Sequence, residues 1–305
     1  MMNRYISITV ALLCCFTLLI NTSLAQEASS FTTSDGEILS YSKVGSGPQV
    51  ILLSGGPGYS VEFISAWADS LREKYEFILF HQRGTGLSSD VKLDSTTINI
   101  KTATRDIEDL RKHLGSNKVT LAGFSYGGGL ALAYAAYYPN QTEKIIMLNT
   151  IGPDLTSIRG FGDNVSRNRT PWVNEILEFW NAQPDDSLSE RMRTKYSQFG
   201  YFYDHRKAEY FLSNEFFTYG FSPRMSNLMW SDLSKNYDLS EDLNAYEGKS
   251  IIIRSRQDPI PAEAAFDILK AVPQTELYPI EKSGHFPFWE QPEQFYKTLE
   301  KVLSL

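Results

Sequence analysis

Cysteine is almost absent from this 305-residue chain: the two present, Cys14 and Cys15, lie side by side near the N-terminus. If the segment holding them is removed, no disulfide, cysteine nucleophile or thiolate metal site is possible in what remains. Histidine is scarce too. Its four residues leave only His81, His113, His205 and His285 as candidates for a general base. Positive charge is in deficit, with 29 Lys and Arg against 36 Asp and Glu and a net charge of −7. A chain with no basic face to neutralise phosphates is a poor nucleic-acid binder. There is no internal repeat and no low-complexity run.

One long apolar run is present, Ile6 to Ile20, preceded by Arg4 and followed by Ser23-Leu24-Ala25. Charge, apolar stretch and small residues in that order form a secretory signal peptide over 1–25 with cleavage before Gln26. The mature protein is therefore expected to be exported, periplasmic or secreted, with no stable membrane association. The other reading is a membrane anchor, but a spanning helix needs about 20 apolar residues and this run has 15.

The remaining composition, 42% hydrophobic and 21% charged, is ordinary for a globular protein. The length suits one α/β domain with an insertion better than two equal domains. Residues 37–44 alternate as a strand after an Asp35-Gly36 turn signal. Gln49 to Leu53, Phe77 to Phe80, Val119 to Ala122, Ile145 to Leu148, Ile251 to Ile253 and Thr275 to Tyr278 read as short buried parallel strands. Helical patterns lie between them at about 101–114, 125–138, 261–271 and 290–303. Strand–helix alternation of this kind predicts an α/β fold with a doubly wound, mostly parallel sheet.

Residues 151–240 differ. They hold 17 of the chain's 40 aromatics and no strand-like run, with helical patterns at 171–183, 204–213 and 224–235. They are expected to form a helical lid inserted between two parts of the core, 26–150 and 241–305. Most of the aromatics should fill the lid's own core, and a minority should face the site.

The chemistry concentrates in Val119-Thr-Leu-Ala-Gly-Phe-Ser-Tyr-Gly-Gly-Gly. A β-rich run meets Gly123-Phe124-Ser125-Tyr126-Gly127, and a small-residue helix follows. A nucleophile elbow needs this order, because the serine sits on a sharp, strained turn and the residues two either side must be almost without side chains. Ser125 at the helix N-terminus also meets a partial positive charge that favours a developing anion. In Ile51-Leu-Leu-Ser-Gly-Gly-Pro-Gly, Gly55-Gly56 follow a buried strand, where backbone N–H groups can point at an oxyanion. Gly56 and the N–H of Tyr126 are the candidate donors. His285, in Ser283-Gly-His-Phe after the last strand, is the candidate base. Asp258, in the loop before the helix near Pro261, is the candidate acid, although it could instead cap that helix.

Gly-Gly-Pro-Gly at 55–58, Gln-Arg-Gly-Thr-Gly-Leu-Ser at 82–88, the elbow and Gly284-His285 together resemble the prolyl iminopeptidase group of the α/β hydrolases. The resemblance spans roughly 35–150 and 245–303 and is weak across the lid. It implies the α/β-hydrolase fold, Ser125 as nucleophile, Asp258 as acid, His285 as base, and Gly56 and Tyr126 as oxyanion donors. It also implies release of an N-terminal proline through an acyl-enzyme, with short peptides or other small molecules as substrates and no metal or organic cofactor. The group's motifs usually begin with His and Asp where this chain has Ser54 and His81. Its members read the substrate's free amine with lid carboxylates. The lid here offers Glu175, Glu178, Glu190, Glu209 and Glu215, and Glu209, beside Tyr210-Phe211, is the candidate for that role. An esterase or lactonase acting on small acyl substrates is the other function this machinery serves. Export is directly checkable: N-terminal sequencing of the native protein is expected to start at Gln26, and a form that keeps Met1 and pellets with membranes would show that the segment is an anchor.

Overall fold

The computed structural model describes residues 28–305, so the expected leader, its cleavage point and both cysteines lie outside the described residues. Eight strands form one sheet: β1 (Ala28–Thr32), β2 (Ile38–Gly45), β3 (Gln49–Leu53), β4 (Glu76–Phe80), β5 (Val119–Phe124), β6 (Thr142–Leu148), β7 (Lys249–Ser255) and β8 (Glu276–Ile280). Their spatial order is β1-β2-β4-β3-β5-β6-β7-β8. The first two pairings, β1 with β2 and β2 with β4, are antiparallel, and the rest are parallel. The expected doubly wound, mostly parallel sheet is thus the observed one. β1 escaped the sequence reading because Phe31 alone of its five residues is buried, leaving no alternation to detect.

The central strands are apolar along their length because both faces are covered. Val50 and Leu52 enter one apolar cluster while Ile51 and Leu53 enter the other, as the two-residue period of a strand requires. The helices Ile100–His113, Tyr126–Tyr137 and Glu263–Ala271 stand where the sequence placed them. The last expected helix is two pieces, Pro287–Glu290 and Pro292–Ser304. Pro292 lacks an N–H and clashes with a preceding turn, so the helix restarts there.

Residues 151–240 lie between β6 and β7, and their described helices are Phe161–Asn168, Pro171–Asn181, Ser187–Gln198, His205–Asn214 and Pro223–Asn236. Two of these, Phe161–Asn168 and Ser187–Gln198, were not anticipated. In the second only Ser189 and Tyr196 are buried, too few to print a helical period. The insertion joins the core through backbone hydrogen bonds at two loops. Ser60 N–H donates to Gly220 O at 2.9 Å and Ser222 N–H to Gly58 O at 2.9 Å, and His285 N–H donates to Tyr201 O at 2.6 Å.

A buried arginine ties the β1–β2 turn to the body. Arg83 reaches Asp106 at 2.6 and 2.9 Å and Asp35 at 2.9 Å. Burial opposes ionisation of Asp35, but hydrogen bonds from Arg83 and Thr33 outweigh it and hold the carboxyl at about 2. A depressed value in the folded state means that Asp35 contributes stability above the ordinary carboxylate range of about 4 and loses it as pH falls toward 2. Asp35→Asn is therefore expected to lower the melting temperature at pH 7 by a few degrees and much less near pH 2. Thermal unfolding at both pH values measures this, and an equal loss at both would contradict the ion-pair account.

Candidate active site

β5 ends at Phe124 and a helix begins at Tyr126, so Ser125 alone makes the turn, with φ 55° and ψ −120°. Such a backbone costs a non-glycine residue on the order of 1–3 kcal/mol. It is held by Ser125 N–H donating to Leu148 O at 2.8 Å and by Gly128 N–H donating to Ser125 O at 3.0 Å. The flanking glycines are sterically required. A Cβ on Gly123 would stand 2.1 Å from Gly127 O, and one on Gly127 would stand 2.1 Å from Leu53 O. The Ser125 hydroxyl does not cap its own helix. It lines a cavity of about 430 Å³ instead.

His285 lines the same cavity, as does Gly56 of the loop after β3. Nδ1 of His285 is 2.8 Å from Asp258 Oδ1, and that oxygen also accepts from Ile260 N–H at 3.2 Å. Asp258 therefore faces the imidazole rather than capping the Glu263–Ala271 helix. Ser125, His285 and Gly56 thus share one cavity lining, and Asp258 adjoins it through His285. Tyr126 is not among the residues lining the cavity, and its backbone N–H, first in its helix, has no intrahelical acceptor. The Tyr126 ring is buried in the core, where burial pushes its hydroxyl far above the usual phenol range.

The other histidines are accounted for elsewhere. His81 is buried, accepts from Leu87 N–H at 3.3 Å, and is pushed toward neutrality by burial. His113 Nε2 pairs with the Tyr41 hydroxyl at 3.2 Å, and His205 opens a lid helix. Of the two departing motif positions, Ser54 serves the loop around Gly56, together with Gln82 of the second motif. Ser54 Oγ donates to Ser60 O at 3.0 Å, and Gln82 Nε2 donates to Ser54 O at 2.9 Å.

Asn149 was not anticipated. It is fully buried just past β6, with φ 46°, and its amide donates to His285 O at 2.9 Å and Ser255 Oγ at 3.1 Å. Its Oδ1 accepts from Ser255 N–H at 2.8 Å. One side chain thus joins the end of β7, from which the Asp258 loop departs, to the loop carrying His285. The sequence signal was faint: a lone Asn after an apolar strand also reads as an ordinary turn residue.

A correction concerns the lid carboxylates. Glu209 is half-exposed and pairs with Lys195 at 2.6 Å and Ser213 at 3.0 Å, outside the cavity. None of the five lid glutamates lines the cavity, and neither does any other Asp, Glu, Lys or Arg among the described residues. The amphipathic pattern could not show that the Glu209 face of its helix meets a lysine of the neighbouring helix. Eight of the fifteen lining residues are aromatic, among them Phe161, Tyr201, Phe216 and Trp230 of the lid. Most of the lid's 17 aromatics therefore do lie elsewhere. The polar lining is uncharged, from Gln198 and the phenols of Tyr59 and Tyr201. Burial raises both phenols, Tyr201 to about 12, so they remain protonated.

A family model described as the alpha/beta hydrolase fold matches residues 48–292. The chain belongs to the α/β-hydrolase family. Among its relatives it resembles proline iminopeptidase from Saccharolobus solfataricus, 25% identical over 87% of this chain and 87% of that protein. A solved α/β hydrolase from Bacillus anthracis superposes with a TM-score of 0.70 at 23% identity over 90% of this chain and 99% of that one. An esterase from Exiguobacterium antarcticum gives 0.64 at 21% identity over 91% and 99%. These likenesses support an α/β hydrolase related to prolyl iminopeptidases.

The elbow makes a stability prediction that needs no substrate. Ser125→Ala should leave the melting temperature within a few degrees of wild type, whereas Gly127→Ala should lower it strongly or prevent soluble expression. A Gly127→Ala protein as stable as wild type would mean that the strand and helix do not cross as described.

Proposed function

We propose that this protein is a serine hydrolase of uncharged, largely apolar acyl esters. Ser125 Oγ attacks the substrate carbonyl while His285 takes its proton. Asp258 orients the imidazole and stabilises the imidazolium. The backbone N–H groups of Gly56 and Tyr126 receive the oxyanion. His285 then returns the proton to the leaving alkoxide, leaving an acyl-enzyme and a free alcohol. Water attacks the acyl-enzyme with the same base, giving the carboxylic acid and restoring Ser125.

The single observation that carries the choice of substrate is that, among the described residues, no carboxylate lines the cavity. An N-terminal ammonium bound in this aromatic chamber would be stripped of water with no anion opposite, and an uncompensated buried charge costs about 3–5 kcal/mol. A neutral ester meets no such penalty. The relatives named proline iminopeptidase, at 25% identity, favour the second reading, release of an N-terminal proline or small residue. That reading needs an anion brought in from outside the present lining.

Three substrates separate the readings: p-nitrophenyl butyrate, proline p-nitroanilide and its N-acetylated form. The ester should turn over readily, and neither anilide should be favoured by a free amine. Rapid cleavage of proline anilide, abolished by acetylation, would decide for the aminopeptidase. Ser125→Ala should lose about 10⁶ in turnover on whichever substrate reacts.

A further inference from the structure

Five residues beyond the candidate base lies Glu290, at the end of the turn Pro287–Glu290 and only 1% exposed. Its carboxylate is fully engaged by uncharged donors from two places. Oε1 accepts from Tyr203 N–H and Asp204 N–H, both at 2.9 Å, where the lid enters its helix His205–Asn214. Oε2 accepts from Gly284 N–H at 2.7 Å and Ser283 Oγ at 3.3 Å, directly before His285. The backbone carbonyl of Glu290 also accepts from Lys207 Nζ of that lid helix.

The two segments it joins are already in backbone contact. His285 N–H donates to Tyr201 O at 2.6 Å, and a Cβ on Gly284 would stand 2.2 Å from the same oxygen. The Tyr201 ring meets the His285 ring edge-on at 5.4 Å between centroids. A buried carboxylate held only by neutral donors is costly to desolvate. In this position it sets the spacing between the lid corner and the loop that carries the imidazole.

We infer that Glu290 is a positioning residue for His285: by clamping residues 203–204 of the lid to residues 283–284, it holds the base in register with Ser125. This rests on the reading of His285 as general base. Glu290 is not itself part of the cavity lining, and its backbone N–H donates to Phe286 O of that lining at 2.9 Å. It acts through the backbone on either side, so its loss displaces the imidazole without removing any group that binds substrate. A misplacement of about 1 Å at a reacting group can cost about 10²-fold in rate.

The test is Glu290→Gln in the full chain, assayed on p-nitrophenyl butyrate with the concentration of active sites counted by fluorophosphonate titration. The amide can satisfy only one of the two sets of donors, because its NH₂ end opposes an N–H. The rate per titrated site is expected to fall about 10- to 100-fold with KM within twofold. A merely structural role would reduce the number of titratable sites and leave the rate of each unchanged. A loss per site of less than fivefold, or one accounted for wholly by KM, overturns the inference. If Glu290→Gln does not fold, Glu290→Asp, which keeps the charge but is too short to span both sets of donors, is judged by the same thresholds. His285→Ala run in parallel separates the two ideas. If it retains wild-type turnover, the base assignment fails. If it is inactive while Glu290→Gln is unimpaired, only the clamp fails.

Discussion

The crossing of β5 and the helix after it is the constraint on which the site depends. Two glycines bring the backbones so close that a methyl group on either would lie about 2 Å from a carbonyl oxygen. Ser125 is left between them in a backbone conformation that its side chain disfavours. The strain is local, and the sheet that opposes it is extensive: β5 is hydrogen-bonded on both sides by parallel neighbours. An over-determined scaffold can hold one unfavourable residue in place, and the return is a hydroxyl that does not bond its own helix and faces the cavity.

Around that turn the remaining groups are placed by buried polar side chains rather than by apolar packing. Asn149 joins the end of β7, before the Asp258 loop, to the loop of His285, Gln82 holds the chain before Gly55-Gly56, and Glu290 joins the base loop to the lid. Each is buried, with most of its hydrogen bonds directed at main-chain groups at strand ends and in loops. Loops lack the ladder bonds that fix strands and helices, so their backbone donors and acceptors must be satisfied by side chains. That requirement is what converts these sequence-distant loops into one site.

The lid contributes in two ways that the sequence pattern did not distinguish. Part of it is structural. Its segments at 201 and 220–222 bond the loops of His285 and Gly56, so the insertion is built into the site's frame. Part of it lines the cavity: Phe161, Tyr201, Phe216 and Trp230 make the chamber apolar, while none of the lid's glutamates is in the lining and Glu209 pairs with Lys195. The position of the charges, more than their number, shapes what the chamber accepts.

Much of this protein was legible without coordinates. The parallel sheet follows from short apolar runs, the elbow from two glycines around a serine after such a run, and the order Ser125, Asp258, His285 from strand ends. These are local signals, because strand periodicity and turn sterics are set by residues a few positions apart. β1, two lid helices, Asn149, Glu290 and the fate of Glu209 were not legible. β1 and the two lid helices bury too few side chains to show a period. The roles of Asn149, Glu290 and Glu209 depend on partners far away in sequence: Asn149 with Ser255 and His285, Glu290 with Tyr203, Glu209 with a lysine on the next helix. Sequence by itself determined which residues could react and what scaffold would carry them. That no carboxylate among the described residues lines the cavity, and which partners His285, Asn149 and Glu290 find, were decided by tertiary structure, because hydrogen bonds and ion pairs between distant loops exist only once the chain has brought them together.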